Sequence, residues 1–83
     1  MDVDVEKEVR RIISERLKVS EAEISLESSL IKDLQADSLD IVEMMMRLEE
    51  RFDIQIRDED IPGLDTVGRV VSYVQQKLKE KES

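Results

Sequence analysis

The sequence predicts an all-α protein, a small four-helix bundle with a long first loop and a short third helix. Three observations carry this. Apolar residues recur at helical spacing in three separate stretches. The one short stretch that alternates apolar and polar residues has no partner with which to pair as a sheet. At 83 residues the chain is a single domain, 1–83, with room for one thin core.

The elements follow in order. Val5, Val9, Ile12, Ile13 and Leu17 fall at i, i+4, i+7, i+8 and i+12, with Glu6, Lys7, Arg10, Arg11 and Glu15 between them. This predicts a helix over roughly residues 4–18. A long connection runs over roughly residues 19–36, too long for a mere link inside a compact domain. Ser20 and Glu23 fit a capping box, so one helical turn is expected there. Ile24, Leu26, Leu30, Ile31 and Leu34 are too apolar for a disordered linker and are expected to pin the loop across the helices.

The second helix is predicted over roughly residues 38–52. Asp53-Ile54-Gln55-Ile56 then reads as an extended connector with both isoleucines inward. A short helical turn over residues 57–61 is expected to end at Pro62 and Gly63. Thr66 is an N-cap for the last helix, where Val67, Val70, Val71, Val74 and Leu78 keep helical spacing. Lys77, Lys79 and Lys81 suit its negative end, and the charged tail through Ser83 is expected to fray.

Composition narrows the function. There is no Cys and no His, which removes disulfides, cysteine metal sites and the commonest general base. No nucleophile and base pair can be proposed, so an enzyme is not expected. Asp33, Asp37 and Asp40 do not match a calcium-loop spacing, and no metal site is expected. With 21 acids against 13 bases the net charge is -8. That disfavours nucleic acid and stable membrane binding and favours basic protein surfaces. Met1-Asp2-Val3-Asp4 has no signal-peptide character, and no apolar run spans a bilayer, so a cytoplasmic monomer is expected.

The second helix carries two faces at 100° per residue. Ile41, Met44, Met45, Leu48 and Phe52 form a core stripe, while Leu39 and Met46 project nearly opposite beside Glu43 and Glu50. Leu39 and Met46 read either as isolated surface apolar residues or as a recognition surface rimmed by acids. Ser38 has two readings as well. Asp37 or Ser38 caps the helix, or Ser38 presents an exposed hydroxyl where helix amides stabilise an attached anion.

Asp37-Ser38-Leu39 with Asp40-Ile41-Val42-Glu43, followed by Leu48-Glu49-Glu50-Arg51-Phe52-Asp53, resembles the modification site and second helix of acyl carrier proteins. Residues 54–60, Thr66-Val67 and Tyr73-Val74 are similar to the rest of that family's domain. Gln35 departs from it, standing where bacterial members usually have Gly, as do Pro62 and Gly63 near the short helix. The resemblance implies a carrier that catalyses nothing itself. Its cofactor would be 4'-phosphopantetheine, taken from coenzyme A and joined to Ser38 by a phosphopantetheinyl transferase. The arm would hold a growing acyl chain as a thioester, most directly in fatty acid biosynthesis. Asp37, Leu39, Asp40, Glu43, Met46, Glu49 and Glu50 would then contact fatty acid synthesis enzymes through their basic docking patches. The alternatives are a carrier for a specialised pathway (polyketide, lipid-modification or aminoacyl) and an acidic interaction module without prosthetic group. Met44 and Met45, being unbranched, are where the core is expected to yield to a sheltered acyl chain.

Overall fold

The computed structural model describes residues 4–82; residues 1–3 and the terminal Ser83 of the expected frayed tail lie outside the described residues. Among the described residues there are three α-helices, α1 (Val5–Leu17), α2 (Ser38–Phe52) and α3 (Val67–Glu82), and two 3-10 segments, Glu21–Glu23 and Asp58–Gly63.

Each helix is delimited by local chemistry. Asp4 Oδ1 accepts the Lys7 N–H at the start of α1 (3.1 Å), and Lys18 closes the helix in the left-handed region with φ 58°. Asp53, at φ 54°, closes α2 in the same way. Thr66 Oγ1 accepts the Arg69 N–H and caps α3 (3.2 Å). Ser20 accepts the Ala22 N–H and starts the expected single turn (3.2 Å).

The apolar stripes meet in one core. Val5, Val9, Ile12 and Ile13 of α1 pack with Ile41, Met44, Met45, Leu48 and Phe52 of α2 and with Val67, Val70, Val71 and Val74 of α3. Burying each of these larger side chains stabilises the fold by about 1.5–3 kcal/mol before the cost of ordering it. Ion pairs clasp α1 to α2 at the surface: Arg51 to Glu8 (2.9 Å), Arg16 to Asp40 (3.0 Å) and Arg47 to Glu15 (3.2 Å). Exposed pairs of this kind add little individually.

Two expectations are corrected. The long loop is pinned by Ile24 and Leu30, which are buried, but Leu26 and Ile31 are 41% and 62% exposed. Much of the pinning is done by backbone instead. The Val67 and Gly68 amides at the start of α3 donate to Ser28 O (3.1 Å) and Leu26 O (2.8 Å), and Leu30 N–H donates to Asp65 O (3.0 Å). Amides without an intrahelical acceptor thus find carbonyls in the loop.

The short third helix does not stop before Pro62; the 3-10 segment includes Pro62 and Gly63. Proline's fixed φ lies within the 3-10 range, so the ring is compatible with that turn. α3 itself continues through Glu82. Lys81 Nζ reaches Asp53 Oδ2 (3.0 Å) and the Phe52 carbonyl (3.4 Å), joining the last turn of α3 to the end of α2. Between them, Ile56 is buried and Ile54 half-buried, as the extended connector requires.

Candidate functional site

The start of α2 is where the sequence motif and the geometry meet. Asp37 is the cap: its Oδ1 accepts the Asp40 N–H (2.8 Å), and Asp40 Oδ2 accepts the Asp37 N–H in return (3.2 Å). This capping box gives the cap to Asp37 and not to Ser38. Ser38 is the first helical residue, it is exposed, and its hydroxyl is not needed as a cap. The amides of Ser38 and Leu39 lie in the first turn, where no intrahelical acceptor is available.

Asp40 also receives Arg16 Nε at 3.0 Å. The Asp37 amide, and after it Arg16, holds the Asp40 carboxyl below its ordinary pKa. Its contribution to stability is therefore present above the ordinary aspartate range and is lost as pH falls through the lowered value.

The approach to Ser38 is fixed from the other side. Ala36 is buried and its N–H donates to Leu30 O at 2.8 Å. Gln35 precedes it with φ 59°. A left-handed conformation costs a side-chain-bearing residue about 1–2 kcal/mol, which explains why glycine suits this position. Gln35→Gly is expected to raise stability by about 0.5–1 kcal/mol after the extra freedom of the unfolded chain is subtracted. A urea midpoint that moves down would show that Gln35 is held there by a compensating contact.

Beside Ser38 lies a recess of about 370 Å³, lined mainly by Ile31, Ile41, Val42, Ile61, Pro62 and Leu64. Its walls come from the loop, α2 and the second 3-10 segment. Met44 and Met45, where adaptability was expected, are buried in the core and do not line it. Val42 was missed by the sequence reading. It sits four residues after Ser38, hence on the same helix face, and is 46% exposed.

The proposed docking residues separate into two groups. Leu39 and Met46 are 62% and 54% exposed, Asp37 and Glu50 are exposed, and Glu43 is half-buried. Asp40 and Glu49 are half-buried and already engaged within the chain. Glu49 Oε2 accepts the Ile56 N–H at 2.8 Å and so anchors the connector after α2. Among the described residues no group of three or more His, Cys, Asp and Glu is placed to hold a metal ion, and no helix is long and apolar enough to cross a membrane.

A family model described as "Phosphopantetheine attachment site" matches residues 7–74. A curated acyl carrier protein from Clostridium perfringens (strain SM101 / Type A) is 53% identical over 66 residues, covering 80% of this chain and 87% of the relative. The chain belongs to the acyl carrier protein family. Acyl carrier proteins are carriers and not enzymes, and their prosthetic group is covalently attached 4'-phosphopantetheine. The residues present fit such a group. An exposed primary hydroxyl stands at a helix N-terminus whose amides favour an attached phosphodiester, and an apolar recess adjoins it.

Proposed function

We propose that Ser38 is the attachment residue and that the protein carries growing acyl chains for fatty acid biosynthesis in the cytoplasm, as a monomer. The observation that supports this most directly is the capping box. With Asp37 and Asp40 satisfying the helix start, the Ser38 hydroxyl stays exposed at the mouth of the apolar recess. A phosphopantetheinyl transferase joins the Ser38 oxygen to the phosphorus of the arm. The pyrophosphate bond of coenzyme A breaks, and its nucleotide half leaves. The serine proton passes to a base of the transferase. When attached, the arm supplies a terminal thiol that holds acyl groups as thioesters.

The residues of the chain do the rest by position. Leu39, Val42 and Met46 give an apolar strip, with Asp37, Glu43 and Glu50 as its acidic rim, for enzymes with basic patches. The recess shelters the first part of the acyl chain, and each methylene removed from water contributes about 0.8 kcal/mol. The completeness of the acidic second helix favours fatty acid synthesis over a specialised pathway, and the acyl group bound in cells distinguishes them.

Incubation with coenzyme A and a phosphopantetheinyl transferase is expected to add one phosphopantetheine mass, and Ser38→Ala to add none. Retained modification in the alanine variant would place the arm elsewhere. For docking, Glu43→Lys is expected to weaken binding to a condensing enzyme more than Glu82→Lys, at the last residue of α3. The difference should shrink at high salt, since exposed charges are screened beyond about 10 Å at 0.1 M. Equal losses would reduce the docking proposal to net charge.

A further inference from the structure

One wall of the recess beside Ser38 is held differently from the others. α2 is fixed by its capping box and its buried stripe. The opposite wall includes Ile61 and Pro62 of the segment Asp58–Gly63, with Leu64 directly after it. No residue of this segment is buried and no side chain caps its start. An element with so little buried surface is easily displaced on its own. A side-chain hydrogen bond ties it to the bundle. The Tyr73 hydroxyl of α3 donates to Asp60 Oδ2 at 2.6 Å.

The short distance fits a charge-assisted bond to a carboxylate. Tyr73 is half-buried against the core, and Lys77 Nζ stands 5.4 Å from its ring centroid. Burial, and after it the Asp60 carboxylate, pushes the Tyr73 pKa above its ordinary value, so the phenol remains a donor through neutral pH.

We infer that the Tyr73–Asp60 hydrogen bond is a latch that sets the position of this wall, and through it the length of acyl chain the recess accepts. Tyr73 is thus a positioning residue for the cargo. The inference rests on the reading that a chain carried from Ser38 enters the recess. With the latch closed, the wall stays against α2 and the recess keeps its volume of about 370 Å³. A chain too long for that space must push Ile61 and Pro62 outward and break the bond. The latch therefore discriminates against longer chains while leaving shorter ones unaffected.

Two readouts on Tyr73→Phe test this, with Asp60→Ala as a second variant that removes the acceptor instead of the donor. The first readout is amide hydrogen exchange in the unmodified protein at Asp60 and Leu64, whose N–H groups donate to Arg57 O and Ile61 O. Both variants should exchange about tenfold faster there, with Met45 of α2 unchanged. The second is the melting temperature of the phosphopantetheine form loaded with butyryl, octanoyl or palmitoyl groups. In the unaltered protein the gain should peak at an intermediate length, and in both variants the peak should move to longer chains. Unchanged exchange at Asp60 and Leu64 would overturn the latch. Faster exchange with an unchanged length profile would overturn its role in cargo selection and leave carriage intact. A melting temperature that ignores chain length in the unaltered protein would overturn the sheltered-chain reading and this inference with it.

Discussion

Glu49→Ala is expected to lower stability by about 1–3 kcal/mol, a large loss for so small a domain. Glu49 resembles one more acid on the docking helix, but its Oε2 accepts the Ile56 N–H at 2.8 Å in a partly buried setting. Alanine leaves that amide without an acceptor and frees the connector, on which Ile56 is buried in the core. Glu49→Gln removes the charge and keeps an oxygen acceptor, so its loss should be about 1 kcal/mol or less. Urea unfolding of the two variants separates the roles. Equal midpoints for Ala and Gln would mean that the connector does not depend on this bond. A partner affinity that falls for Gln at near-native stability would show that the charge of Glu49 also serves docking.

Gly68→Ala should have a comparable effect through a different mechanism. A Cβ on Gly68 would lie 2.9 Å from the Leu26 carbonyl oxygen, and the Gly68 amide already donates to that same oxygen at 2.8 Å. Backbone cannot rotate away as a side chain can, so α3 or the loop must shift. The overpacking cost of about 1–3 kcal/mol, together with a weakened hydrogen bond, outweighs the helix propensity that alanine brings, at most about 1 kcal/mol. Gly63→Ala is the natural control. Nothing lies within 4 Å of a Cβ there, so alanine should stabilise by about 0.4–1 kcal/mol through the unfolded chain. The two substitutions are expected to move the unfolding midpoint in opposite directions. Stabilisation by both would mean that the loop yields freely at Leu26.

Periodicity made α2 legible. The five residues of its predicted stripe are all buried, and Leu39 and Met46 stand exposed on the other side. A cap made the start of α3 legible, because Thr66 acts through a side chain whose chemistry a sequence displays. The long loop was less legible for the converse reason. Its ties to α3 are carbonyls of Leu26 and Ser28, and any residue has a carbonyl. Counting apolar residues therefore included Leu26 and Ile31 with Ile24 and Leu30, although only the latter two are buried. The recess was hidden for a related reason. Ile31, Val42, Ile61 and Leu64 come from three segments distant in sequence, and only packing brings them beside Ser38. Gln35 was visible as a departure from the family, but its cost became clear only with its φ of 59°.

The central claim, that Ser38 bears the arm, is tested most directly on the protein isolated from its source and cleaved with trypsin. Cleavage after Lys32 and Arg47 releases residues 33–47, in which Ser38 is the one hydroxyl-bearing side chain. The phosphopantetheine mass should appear on that peptide and on no other. Its appearance on a peptide holding Ser14, Ser25, Ser72 or any serine other than Ser38, or its absence from every peptide, would contradict the account.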